Sequence, residues 1–247
     1  MSTRLRYLSL AICALLFSTA TQAQQPGNMT NAPAAKAPAA TAAAPKAPDV
    51  KVDAASQAIA DAMAKMDAND LDGAIAKLTD AINANPKMSG PYVFRASVYC
   101  QKKMWPQAEA DFKSAAQIDP KNVVIQFNLV EVKFMQKQYD AARTGYAAIT
   151  GDPQMGDLAA YKVFLCDLLA GHEDLAKKER DAFDAVDSKP SYYFSRAAWD
   201  LSHKNVDSAR SWFVSGVNIF PSSKISYYLI PLKDLGWLPI PPPAAKL

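Results

Sequence analysis

The chain has little of what catalytic and metal-binding sites are made from. Its 247 residues include two histidines, three cysteines and nine glycines. So few glycines leave no phosphate-cradling loop, and no H-E-x-x-H, paired C-x-x-C or serine-elbow motif occurs. Three cysteines are too few for a disulfide framework. Charge of one sign is also lacking: a formal net charge of +3 argues against the basic face of a dedicated nucleic-acid binder. The expectation is a non-enzymatic chain with no cofactor, no metal site and no nucleic-acid partner.

Apolar and small residues are abundant. A hydrophobic fraction of 50% supplies a sizeable core and excludes a wholly disordered chain. The start of the sequence is unlike the rest. Arg4 and Arg6 precede a short apolar run, Tyr7 to Ala20, and then Thr21-Gln22-Ala23 offers small residues for cleavage before Gln24. This layout predicts a signal peptide over 1–23, and the run is shorter than the roughly twenty apolar residues a spanning helix needs. Export to the periplasm or outside the cell follows, with no stable membrane insertion after cleavage. Leu10-Ala11-Ile12-Cys13 resembles a lipoprotein box poorly, because Ile12 is branched and Cys13 lies inside the apolar run.

Residues 24–50 read as a linker. Residues 31–48, NAPAAKAPAATAAAPKAP, hold ten alanines and four prolines, which block a continuous helix and offer little surface to bury. The leader takes Arg4 and Arg6, and the linker takes Lys36, Lys46 and Asp49. The domain from Lys51 onward keeps 23 residues of each sign, so its net charge is zero.

That domain carries a repeat. Ala74, Ala108, Ala142, Ala176 and Ala209 are spaced by 34, 34, 34 and 33 residues. Four residues after each stand Leu78, Phe112, Tyr146, Arg180 and Phe213, and twelve before each stand Ala62, Ala96, Val130, Phe164 and Ala197. Pro86, Pro120, Pro153 and Pro221 follow the alanines by eleven or twelve residues. Small residues at fixed positions let paired helices approach closely, and the prolines help end the second helix of each pair. A single pair cannot bury its apolar face, whereas five stacked pairs make a continuous core.

This pattern resembles the tetratricopeptide repeat, a 34-residue helix-turn-helix unit. Units fall at 55–88, 89–122, 123–156, 157–189 and 190–223. The second is clearest, with Tyr92, Ala96, Tyr99, Ala108, Phe112, Ala115 and Pro120 at the signature positions. The fifth has Gly216 where alanine is usual, and the fourth has Phe164 in a small-residue position and Arg180 in a large apolar one. Packing is therefore expected to shift at the fourth unit. The resemblance implies an all-α solenoid: a right-handed superhelix of about five units plus a C-terminal capping helix, over residues 51–236. The cap is read in Lys224 to Trp237, kinked or restarted at Pro231, with a proline-rich tail over 237–247.

Within such an array, the resemblance implies that the first helix of each pair lines a concave groove. The groove residues carried over are Phe127, Glu131, Phe134, Tyr161, Leu165 and Phe194, with Ser97 and Cys100 among their neighbours. The implied partner is a protein: an apolar peptide or helix of an envelope protein. Asn128 and Lys162 are isolated fits to the family's chaperone-carboxylate clamp, and the rest of that clamp is missing. Replacing Phe127 and Tyr161 by glutamate is expected to abolish capture without loss of helicity. Self-association into a structural homo-oligomer is the alternative. Cys100 and Cys166, two units apart, are expected to stay unbridged. His172 and His203 fall at inter-helix turns and are expected to be solvated there.

Overall fold

The computed structural model describes residues 53–184 and 189–239. The expected leader, the linker and the tail from residue 240 lie outside the described residues. Eleven helices and no strand occur among those described: α1 Ala54–Asp67, α2 Leu71–Ala84, α3 Ser89–Gln101, α4 Trp105–Ile118, α5 Val123–Met135, α6 Tyr139–Ala147, α7 Gly156–Ala170, α8 Glu173–Ala182, α9 Pro190–Ser202, α10 Val206–Ile219 and α11 Ser222–Asp234. They form five helix pairs followed by one extra helix, the all-α solenoid implied by the repeat.

Local chemistry sets the boundaries. Asp53, Asp70 and Asn122 cap α1, α2 and α5, their side chains accepting from the N–H groups of Ser56, Gly73 and Val124. Pro106 and Pro190 sit in the first turns of α4 and α9, where no N–H is needed. Each first helix then ends in the same way. Asn69, Lys103, Lys137, Gly171 and Lys204 all have φ between 57° and 82°, at intervals of 34, 34, 34 and 33 residues. The N–H of the next residue reaches back five residues, as from Met104 to the Tyr99 carbonyl (2.8 Å) and from Gln138 to the Lys133 carbonyl (3.0 Å). This left-handed stop turns the chain into the second helix.

The repeated alanines pack at the helix crossings. Ala62, Ala74, Ala96, Ala108, Ala142, Ala176, Ala197 and Ala209 are fully buried. Gly216 has a specific reason: a Cβ there would lie 2.9 Å from Phe194 Cζ and 3.1 Å from Tyr193 Cβ. The large residues of the pattern, Leu78, Phe112 and Tyr146, are buried in successive seams. At the fourth unit the seam changes. α9 packs against α7 more than against the short α8. Phe164 is buried and meets the Phe183 ring edge-on at 6.5 Å, and the Arg180 guanidinium lies 4.4 Å from the Trp199 ring in place of an apolar side chain.

The end helix departs from simple capping. α11 runs through Pro231 to Asp234 without restarting. It packs on the first helices α9 and α7 instead of extending the stack beyond α10. Val214, Val217 and Ile219 of α10 consequently stay exposed. Trp237 and Leu238 are half-buried against the core that α7, α9 and α11 share.

Candidate functional site

α11 covers the first helices α9 and α7, the C-terminal half of the expected groove. Tyr161 Oη donates to the Tyr228 carbonyl at 3.1 Å, and the Phe194 and Tyr228 rings stack at 5.9 Å. Tyr228 Oη donates to Asp157 Oδ2 at 2.6 Å, and Ser191 Oγ donates to Asp157 Oδ1 at 2.5 Å. Ile225, Tyr228 and Leu232, one stripe of α11, are buried by this seat. Burial pushes the Tyr161 and Tyr228 hydroxyls far above the ordinary phenol range, so both remain neutral donors.

The six groove residues expected from the repeat are therefore all buried. Phe127, Tyr161, Leu165 and Phe194 are 0% exposed, and Glu131 and Phe134 are 8% and 9% exposed. Two causes separate them. Phe127 points between its own helix pair, meeting Tyr146 at 5.1 Å, whereas Tyr161 and Phe194 lie under α11. Glutamates at Phe127 and Tyr161 would break the core, so that pair of changes does not probe a surface. Phe134 and Glu131 alone among the six line open space.

Glu131 is not a bare groove carboxylate. Lys162 Nζ donates to its Oε1 at 2.6 Å and Tyr146 Oη donates to its Oε2. Lys162 is 1% exposed, and its ammonium also lies 4.2 Å from the Phe134 ring. With its charge spent inside the protein, Lys162 is not presented to a ligand carboxylate. This pairing links the first helices of the third and fourth units.

A cavity of about 550 Å3 opens between α3, α5 and the end of α11. Gln101, Asn128, Glu131, Phe134, Met135 and Asp234 are among its lining residues. Asn128 is 1% exposed, and neither atom of its amide has a hydrogen-bond partner among the described residues. Gln101 Oε1 is likewise buried and unpartnered. Partial burial raises the Asp234 carboxyl above its ordinary value.

The remaining candidates are tied into structure. His172 and His203 are exposed at their turns, as expected, with His172 Nδ1 3.1 Å from Asp167 Oδ1 and His203 stacked on Trp199 at 4.3 Å. Cys100 and Cys166 form no disulfide. Burial pushes the Cys166 thiol well up, away from reactive thiolate. Among the described residues no group of three or more His, Cys, Asp or Glu is placed to hold a metal ion, and no helix is long and apolar enough to cross a membrane.

Comparison with known proteins agrees with this architecture. Residues 101–162 match the tetratricopeptide repeat family. The solved structure of PilF from Pseudomonas aeruginosa is similar, with a TM-score of 0.53 at 15% identity over 74% of this chain and 91% of that one. PilW, a widely conserved type IV pilus biogenesis factor, gives a TM-score of 0.53 at 20% identity over 74% of this chain and 86% of that one. At these identities the likeness is one of fold. No curated protein matches the chain in sequence.

Proposed function

We propose that this array of tetratricopeptide-type helix pairs is a non-enzymatic binding module of the cell envelope, exported by its N-terminal leader and seating a segment of a partner protein. The observation that carries this reading is the cavity between α3, α5 and the end of α11, with buried, unpartnered polar atoms in its lining. Such atoms cost about 1–3 kcal/mol each when left unpaired, so a site that retains them gains when a ligand supplies the missing partner. Only the N-terminal half of the concave side is offered, because α11 fills the rest. Met135 is a half-exposed wall of the cavity, whereas Lys178 is exposed on α8. Met135→Glu should abolish co-purification of the partner from envelope fractions, with Lys178→Glu leaving it unchanged. Equal co-purification by the two variants contradicts the reading.

A second reading, self-association, is favoured by the uncovered apolar side chains Val214, Val217 and Ile219 at the end of the stack. Sedimentation of the wild type against Val217→Glu tests it. A strict monomer at all concentrations excludes it.

A further inference from the structure

We infer that the cavity between α3 and α5 is selective for a primary carboxamide, the side chain of an asparagine or glutamine on the bound segment. The inference rests on the groove reading above and specifies its chemistry. Asn128, in the cavity lining, holds one unpaired donor, Nδ2, beside one unpaired acceptor, Oδ1, both almost wholly buried. A single planar group that satisfies both carries an N–H and a C=O on the same side, whereas water or a hydroxyl would have to do so through one oxygen. A primary carboxamide has that arrangement. A trans peptide bond does not, because its N–H and C=O point in opposite directions. A carboxylate offers acceptors only and leaves Oδ1 unpaired, and an ammonium or guanidinium offers donors only and leaves Nδ2 unpaired.

Lys103, Lys137 and Asp234 also stand in the lining, but the charged pair nearest Asn128 along α5 is closed. Both oxygens of Glu131 are taken, by Lys162 and by Tyr146, so the nearby ion pair presents no spare charge. Phe112, Phe134 and Met135 line the same space and suit the methylenes of a glutamine. Gln101 Oε1 is a further unpartnered acceptor in the lining, left for a backbone N–H of the segment that carries the carboxamide. Exchanging the oxygen and nitrogen of Asn128 changes nothing, since the amide remains one donor beside one acceptor.

The test uses the full chain, with 15N-detected side-chain amide signals as readout and three blocked amino acids as probes: N-acetyl-glutamine, N-acetyl-glutamate and N-acetyl-norleucine methylamides. The glutamine probe should shift the Asn128 side-chain signals saturably, with the other two at least fivefold weaker. Asn128→Leu, read at the Gln101 side-chain amide that the variant keeps, should abolish the shift that the glutamine probe produces there in the wild type. It should also raise the thermal midpoint, because it removes an unsatisfied buried amide; a merely structural asparagine would lower the midpoint when replaced. Equal response to all three probes overturns carboxamide selectivity while leaving the groove reading intact. No response to any probe, the outcome expected if water alone satisfies Asn128, overturns the subsite. Failure of the groove reading itself is seen separately, as equal co-purification by the Met135→Glu and Lys178→Glu variants.

Discussion

Lys162 Nζ lies 2.6 Å from Glu131 Oε1, and this buried contact joins the first helices of two successive repeat units. Little of either charge is open to water: Lys162 is 1% exposed and Glu131 8%. The pair therefore stabilises only as a pair. Lys162→Met leaves Glu131 buried with Tyr146 as its remaining donor and should cost about 3–5 kcal/mol. Adding Glu131→Leu should recover part of that loss, the remainder being the buried Tyr146 hydroxyl that then lacks its acceptor. Chemical denaturation of the two variants checks it; equal losses in single and double variants would show that packing of the lysine stem, and not charge pairing, dominates.

Gly216 marks the closest approach of α9 and α10. Gly216→Ala places a methyl 2.9 Å from Phe194 Cζ, in a ring that also stacks on Tyr228. Overpacking of this kind costs about 1–3 kcal/mol, against the gain of roughly 0.5–1 kcal/mol that alanine brings to an unconstrained helix. Net destabilisation in a urea titration is expected.

The left-handed stop at the end of each first helix makes the opposite forecast for Lys204. Its φ of 64° carries a Cβ penalty that glycine at Gly171 avoids in the preceding unit. Lys204→Gly should stabilise by about 0.5–1 kcal/mol, measured as a raised denaturation midpoint.

Glu179 gives a pH signature. Burial, then the adjacent Asp167, push its carboxyl up to about 7, while Arg143 at 2.9 Å pulls the other way. A raised acid keeps its proton in the folded chain between its ordinary value of 4.5 and about 7, where the unfolded chain has lost it. Stability attributable to this group therefore falls as pH rises through that window. Glu179→Gln, which can still donate to Asp167, should match the wild type near pH 4.5 and exceed it in thermal midpoint above pH 7. A constant difference across that range contradicts the assignment.

The repeat period made the helix pairs legible before any coordinates. Ala74, Ala108 and Ala142 marked the crossings because close packing excludes larger side chains, and those alanines are fully buried. The groove was less legible. A large apolar residue such as Tyr161 or Phe194 reads the same whether it faces a ligand or the chain's own α11, since periodicity reports a buried face and not what buries it. The cap was found in Lys224 to Trp237, but its seat on α7 and α9 depends on Tyr228 meeting Asp157, 71 residues away. In the sequence, Asn128 reads only as a fragment of a clamp. Its significance lies in lacking a partner, which sequence cannot show.

The most direct test of the account is photo-crosslinking in the intact envelope, with a benzophenone amino acid placed at Met135 in the cavity or at Lys178 on α8. The account predicts an adduct from Met135 that maps to one contiguous segment of a single partner, containing an asparagine or glutamine, and none from Lys178. The same adducts from both positions, or none from Met135, would contradict it.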